Sequence, residues 1–211
     1  MDGREKRRLI VGILFNIAII VMVSVCVVFF IRYSINGGND NRFRYFTNIS
    51  NITVALISIA NTVLLIVSLL KEKIVIPKFF SIIKLIGITM TTLTFFVVLF
   101  VLAPATSFLL MYQDGKFFTH LLVPVFVVIS FLFFEEKTLF EWKYSILGVV
   151  PPIIYSIVYT INVVYLKTWP DIYYINTQGI WYVFSIITCL LGFGLAQGLY
   201  FLKKLTIKKA A

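Results

Sequence analysis

Long apolar runs separated by short polar or charged intervals dominate the chain. A helix needs roughly 20 apolar residues to cross about 30 Å of hydrocarbon. By that measure six runs stand out, over 9–31, 46–70, 79–103, 117–134, 144–166 and 179–202. A soluble helix keeps one polar face and interrupts such runs at every turn; these continue without interruption. The pattern predicts an all-α fold, a polytopic membrane protein of six transmembrane helices forming one integral membrane domain over 1–211. The intervals are short, the longest being 32–45, with Asn36-Gly37-Gly38-Asn39-Asp40 as its turn chemistry. None holds a soluble domain. The first run lacks a small-residue cleavage exit and reads as a retained helix rather than a signal peptide. No internal repeat is visible, which argues against an inverted-repeat transporter.

Composition sharpens this picture. Only 13% of residues are charged, against roughly 25% in soluble domains. The net charge of +10 comes from Lys and Arg at span ends and not from a patch interleaved with stacking aromatics, which excludes a nucleic-acid partner. Fourteen of the 19 basic residues fall on the side that holds both termini. Cationic segments resist translocation, so both termini are expected to be cytoplasmic, as an even span count requires. Lys84, just inside the third span, is expected to extend its ammonium to the inner interface. Cys26 and Cys189 lie within apolar runs and behave as small hydrophobes. A multi-pass protein of the cell membrane follows. The short loops and the richness in Lys, Ile and Asn suggest a bacterial plasma membrane.

Polar residues inside spans are costly and face other helices or a cavity. On the second span Thr47, Ser50, Asn51, Ser58, Asn61, Thr62 and Ser68 fall within about 60° of one line at 100° per residue. That stripe is either interhelical glue or the wall of a pocket. His120 is the single histidine of the chain and, like Thr47, falls in the first turn of its span, at the same outer face. A threonine hydroxyl becomes a nucleophile when a neighbouring base takes its proton, and neutral imidazole is such a base. Backbone N–H groups of these first turns, or the amides of Asn48 and Asn51, offer stabilisation to an oxyanion on an attacked ester. Asp114 is a candidate to orient the His120 ring. On the fifth span Pro151-Pro152 predicts a kink or a late helix start, and Tyr155, Tyr159 and Asn162 form a second polar stripe, as pocket lining or as packing. Gly194 and Gly198 form a small-xxx-small pair for close packing. Trp169, Tyr173, Tyr174, Trp181 and Tyr182 read as an interfacial aromatic belt. No His, Cys and carboxylate cluster has metal-ligand spacing, and no cofactor is implied.

The run Arg44-Tyr45-Phe46-Thr47-Asn48-Ile49-Ser50-Asn51, with His120 and Pro124 opening the fourth span, resembles the androgen-induced family of integral membrane threonine hydrolases and its small bacterial six-span relatives. The Pro-Pro-x-x-Tyr stretch at Pro151 to Tyr155 and the outer-loop run Trp169 to Tyr174 are similar to the bacterial members, although Asp171-Ile172 stands where those have a more compact aromatic-proline stretch. The resemblance implies an esterase of fatty-acid esters of hydroxy fatty acids, with Thr47 as nucleophile and His120 as base. The rival expectations are a non-catalytic protein that binds or transports membrane lipids or small molecules, and an assembly partner built on the close-packing glycines.

Overall fold

The computed structural model describes residues 1–35, 42–113, 115–134, 140–176, 179 and 181–209. Among them there is no strand, and six helices are long and apolar enough to cross a membrane. We number these α1 (Gly3–Ile35), α2 (Phe46–Leu70), α3 (Lys78–Ala105), α4 (Gly115–Phe134), α5 (Trp142–Tyr165) and α6 (Trp181–Lys209). The α2 bounds coincide with the apolar run. The end helices run past theirs into basic residues, because Arg and Lys are good helix formers once the turn before them is nucleated. The Asn36 to Asp40 turn lies outside the described residues.

The helix α3 is the centre of the bundle. It packs on α2, α4, α5 and α6, while α1 lies against α2 and α4. Its position explains why Thr89, Thr91, Thr92 and Thr94 are all buried although they point in several directions. Thr89 and Thr94 donate back to the Leu85 and Met90 carbonyls at 2.8 and 3.1 Å, as residues with no water to turn to must. Large apolar residues such as Leu14, Leu56, Ile157 and Leu190 lie on the outside, the arrangement that lipid rather than water permits. Lys6 pairs with Glu72 at 2.6 Å, so the N-terminus and the α2–α3 connection share one end of the bundle.

The helix α5 starts late, as the double proline predicts. Trp142–Val149 is a 3₁₀ segment, and α-helical geometry begins at Val150 with the prolines in its first turn, where a missing N–H costs nothing. Gly148 lies so near Ala196 of α6 and Thr89 of α3 that an added Cβ would stand 2.7 Å from one and 3.0 Å from the other. The three helices are thus pinned together on the side of the termini. Gly194 and Gly198 by contrast face open space, so the expected close packing falls to Gly148 and to Gly192, which lies against Pro152. Lys84 also departs from expectation. It is 2% exposed and donates to the Asn61 Oδ1 at 3.2 Å, inside a small polar cavity shared with Asn16 and Ser58. The polar stripe of α2 reaches it more readily than the interface does.

Candidate active site

The stripe on α2 faces the bundle: Thr47, Ser50, Asn51, Ser58, Asn61 and Ser68 are buried. Much of it is glue. The Ser50 and Thr94 hydroxyls meet at 3.1 Å, Ser68 donates to the Leu64 carbonyl at 2.8 Å, and Ser68 Oγ accepts the Val75 N–H at 3.1 Å. At the end away from the termini the stripe opens into a cleft between α2, α3, α5, α6 and the α5–α6 connection. Its walls are mainly apolar, from residues such as Leu93, Val97, Leu102 and Phe184, with Thr47, Tyr155, Tyr159 and Tyr173 among the polar groups. The lining suits a ligand with a hydrocarbon body and one polar group.

Thr47 is the second residue of α2, so its side chain sits beside the unpaired N–H groups of a helix N-terminus. No side chain of α2 caps that end; Asn48 and Ile49 return their N–H groups to the Tyr45 carbonyl at 3.0 and 3.1 Å. The Phe46 N–H, with no carbonyl within its own helix to bond, lies near two phenols from elsewhere in the chain, Tyr155 and Tyr173. Tyr155 also donates to the Arg44 carbonyl at 3.1 Å and packs on Phe46 with ring centroids 4.9 Å apart. The Tyr173 hydroxyl lies near the side chains of both Thr47 and Tyr155, in the same cleft wall. Burial pushes the Tyr173 phenol up to about 12, so it is a proton donor throughout the neutral and mildly alkaline range.

Tyr173 belongs to the α5–α6 connection, where an interfacial aromatic belt was expected; Tyr174 is exposed, but Tyr173 folds inward. The cause is a tightly tied loop. Asp171 accepts the N–H groups of Ile175 and Asn176 at 2.9 and 2.8 Å. The Tyr159 hydroxyl accepts the Ile172 N–H at 2.9 Å and donates to the Pro170 carbonyl at 3.2 Å. Tyr174, at φ 55°, reverses the chain immediately afterwards. Asp171 is therefore the clamp of this loop.

His120 lies on α4, in a π-helical turn over Phe118–Leu122, and is 8% exposed, as is Thr47. Its Nδ1 meets the Met111 carbonyl at 2.7 Å, and Tyr112 stands edge-on to the ring. A carbonyl only accepts, so Nδ1 carries the proton and Nε2 the lone pair, the tautomer a general base requires. Met111 thus holds the ring; Asp114 lies outside the described residues. Because α4 begins at Gly115, His120 sits a turn deeper than a first-turn position. The helices α2 and α4 meet at this level: Asn51 Nδ2 donates to the Thr47 carbonyl at 2.7 Å and to the Thr119 carbonyl at 3.2 Å. Among the described residues no hydrogen bond joins Thr47 to His120, and His120 is not part of the cleft wall.

The other expected pocket residues divide. Tyr155 and Tyr159 line the cleft with Thr47. Asn48, Asn51 and Asn162 do not. Asn48 Nδ2 donates to the Arg42 carbonyl at 2.6 Å, Asn51 ties helices together, and Asn162 donates to the Val158 carbonyl at 2.8 Å while accepting from Thr168 at 2.8 Å, closing the end of α5. An amide finding carbonyls within one turn satisfies itself there before it turns to a cavity. Thr94, Ser156, Ser185 and Thr188 also line the cleft and were not singled out in the sequence. The Ser185 and Thr188 pair, three residues apart on one face of α6, was the signal available for them. No family model, curated protein or solved structure matches the chain.

Proposed function

We propose that the chain is an intramembrane hydrolase of fatty-acyl esters, with Thr47 as nucleophile and His120 as general base. The observation that carries this reading is Thr47 in the wall of an otherwise mainly apolar cleft, beside an orphan helix N–H and a buried phenol. An acyl chain lies along Leu93, Val97, Leu102 and Phe184, and its ester group comes to rest at Thr47. Thr47 Oγ forms a bond to the carbonyl carbon as its proton passes to Nε2 of His120. The tetrahedral intermediate collapses, the carbon–oxygen bond to the alcohol breaks, and the leaving alkoxide takes that proton. Water then repeats the sequence on the acyl-threonine, releasing the fatty acid and restoring both side chains. The tautomer fixed by Met111 supports His120 in this part. Proton transfer needs a side-chain rotation or a bridging water to close the remaining distance, as is common before substrate binds.

One observation favours a second reading, a non-catalytic site for a membrane lipid: the cleft is lined by Thr47 without His120. Turnover separates the two. In vesicles containing the purified protein, hydrolysis of a fluorogenic fatty-acyl ester is expected to fall by about 10³-fold or more in both Thr47→Ala and His120→Ala. Wild-type turnover no faster than that of empty vesicles, alongside saturable lipid binding, selects the second reading.

A further inference from the structure

We propose that the Tyr173 hydroxyl and the Phe46 backbone N–H form the pair of donors that holds the oxyanion when Thr47 attacks an ester carbonyl. This rests on the hydrolase reading above. The amides that the sequence offered for this task are committed elsewhere, Asn48 to the Arg42 carbonyl at 2.6 Å and Asn51 to the Thr47 and Thr119 carbonyls. Tyr155 is committed as well, its O–H directed at the Arg44 carbonyl at 3.1 Å. Two donors remain beside the Thr47 hydroxyl. The Phe46 N–H has no carbonyl within its own helix to bond, and the Tyr173 O–H has around it the hydroxyl oxygens of Thr47 and Tyr155. An ester oxygen arriving at Thr47 displaces those weak mutual contacts and takes both hydrogens.

The donors are also preorganised. Phe46 is fixed by the helix, and Tyr173 by a loop clamped through Asp171 and the Tyr159 hydroxyl. The phenol is buried against the cleft, where a hydrogen bond to developing charge is worth more than in water. During attack the carbonyl π pair moves onto oxygen and is held by O–H and N–H without proton transfer. On collapse the pair re-forms the carbonyl, and the leaving alkoxide receives its proton from His120. Tyr173 ends each cycle unchanged.

The test compares wild type, Tyr173→Phe, Tyr155→Phe and Thr47→Ala in vesicles, with the 4-methylumbelliferyl ester of a medium-chain fatty acid as probe. Tyr173→Phe is expected to lower kcat by about 10² to 10³-fold with KM changed less than about threefold, and Tyr155→Phe to lower kcat far less. A structural cap lost from α2 would instead lower the thermal midpoint, so that is measured on every variant. A ring-fluorinated tyrosine at position 173, which keeps the hydroxyl but ionises more readily, keeps kcat at neutral pH and moves its alkaline limit to lower pH. Tyr173→Phe retaining wild-type kcat while Thr47→Ala is inactive overturns this assignment and leaves the hydrolase intact. A fluorinated enzyme whose alkaline limit stays in place overturns it too. Wild-type turnover by Thr47→Ala overturns the hydrolase reading itself, and this assignment with it.

Discussion

Thr47 owes its place to the residues one turn further along α2. Its carbonyl accepts from Ser50 Oγ at 2.9 Å and from Asn51 Nδ2 at 2.7 Å, and Asn51 carries the connection across to α4 through Thr119. Asn51 is almost wholly buried, and its Oδ1 has no partner among the described residues. Such a group costs stability and stays worthwhile only if its amide N–H bonds return more. Asn51→Leu removes the interhelical bond and the orphan oxygen together. The expected result is a modest loss, about 0.5 to 1.5 kcal/mol, read from thermal unfolding in detergent. On the proposed hydrolase reading its turnover should fall more than that loss implies, because Thr47 and His120 lose their shared brace. At this scale the sequence was partly legible. Thr47, Tyr155 and Tyr159 line one cleft, as expected of positions that helical periodicity places on facing stripes. Asn162 misled because the same periodicity does not say whether an amide turns to a cavity or to its own backbone. Tyr173 was missed because its direction depends on a loop whose bonds to Asp171 and Tyr159 span 4 to 14 residues and follow no period.

At the scale of elements, the cleft exists because α3, α5 and α6 are drawn together on the side of the termini and stand apart at the other. Gly148 is the point of contact, wedged against Ala196 and Thr89. Ala196 is itself small and Thr89 is held by the Leu85 carbonyl, so neither neighbour can give way cheaply. Gly148→Ala is therefore expected to destabilise by about 1 to 3 kcal/mol through overpacking. Gly194→Ala meets open space and is expected to be neutral or slightly stabilising through helix propensity. Paired unfolding curves of the two variants check this; equal effects would place the helix contact elsewhere. The element boundaries were legible because hydrocarbon thickness sets span length and because charge and proline mark the ends. The order of helices around α3 was not. It is decided by which small residues and which hydroxyls find partners, and in lipid that is a matter of shape rather than of hydrophobic pattern. Lys84 shows the same limit. The sequence gives it a long stem and a nearby interface, and only the packed bundle shows that Asn61 is nearer.

At the scale of the molecule, the described residues form a six-helix bundle with α3 at its centre and an apolar cleft at the end opposite the termini, and we assign the chemistry of that cleft to one hydroxyl. A fluorophosphonate carrying a long alkyl chain tests the assignment directly, since it fills the cleft as an acyl chain does and bonds covalently to an activated nucleophile. After labelling of the purified protein in vesicles, mass spectrometry of its peptides is expected to place the adduct on Thr47, with labelling lost in Thr47→Ala and much slowed in His120→Ala. An adduct on any other residue, or labelling of Thr47→Ala at the wild-type rate, would contradict the account.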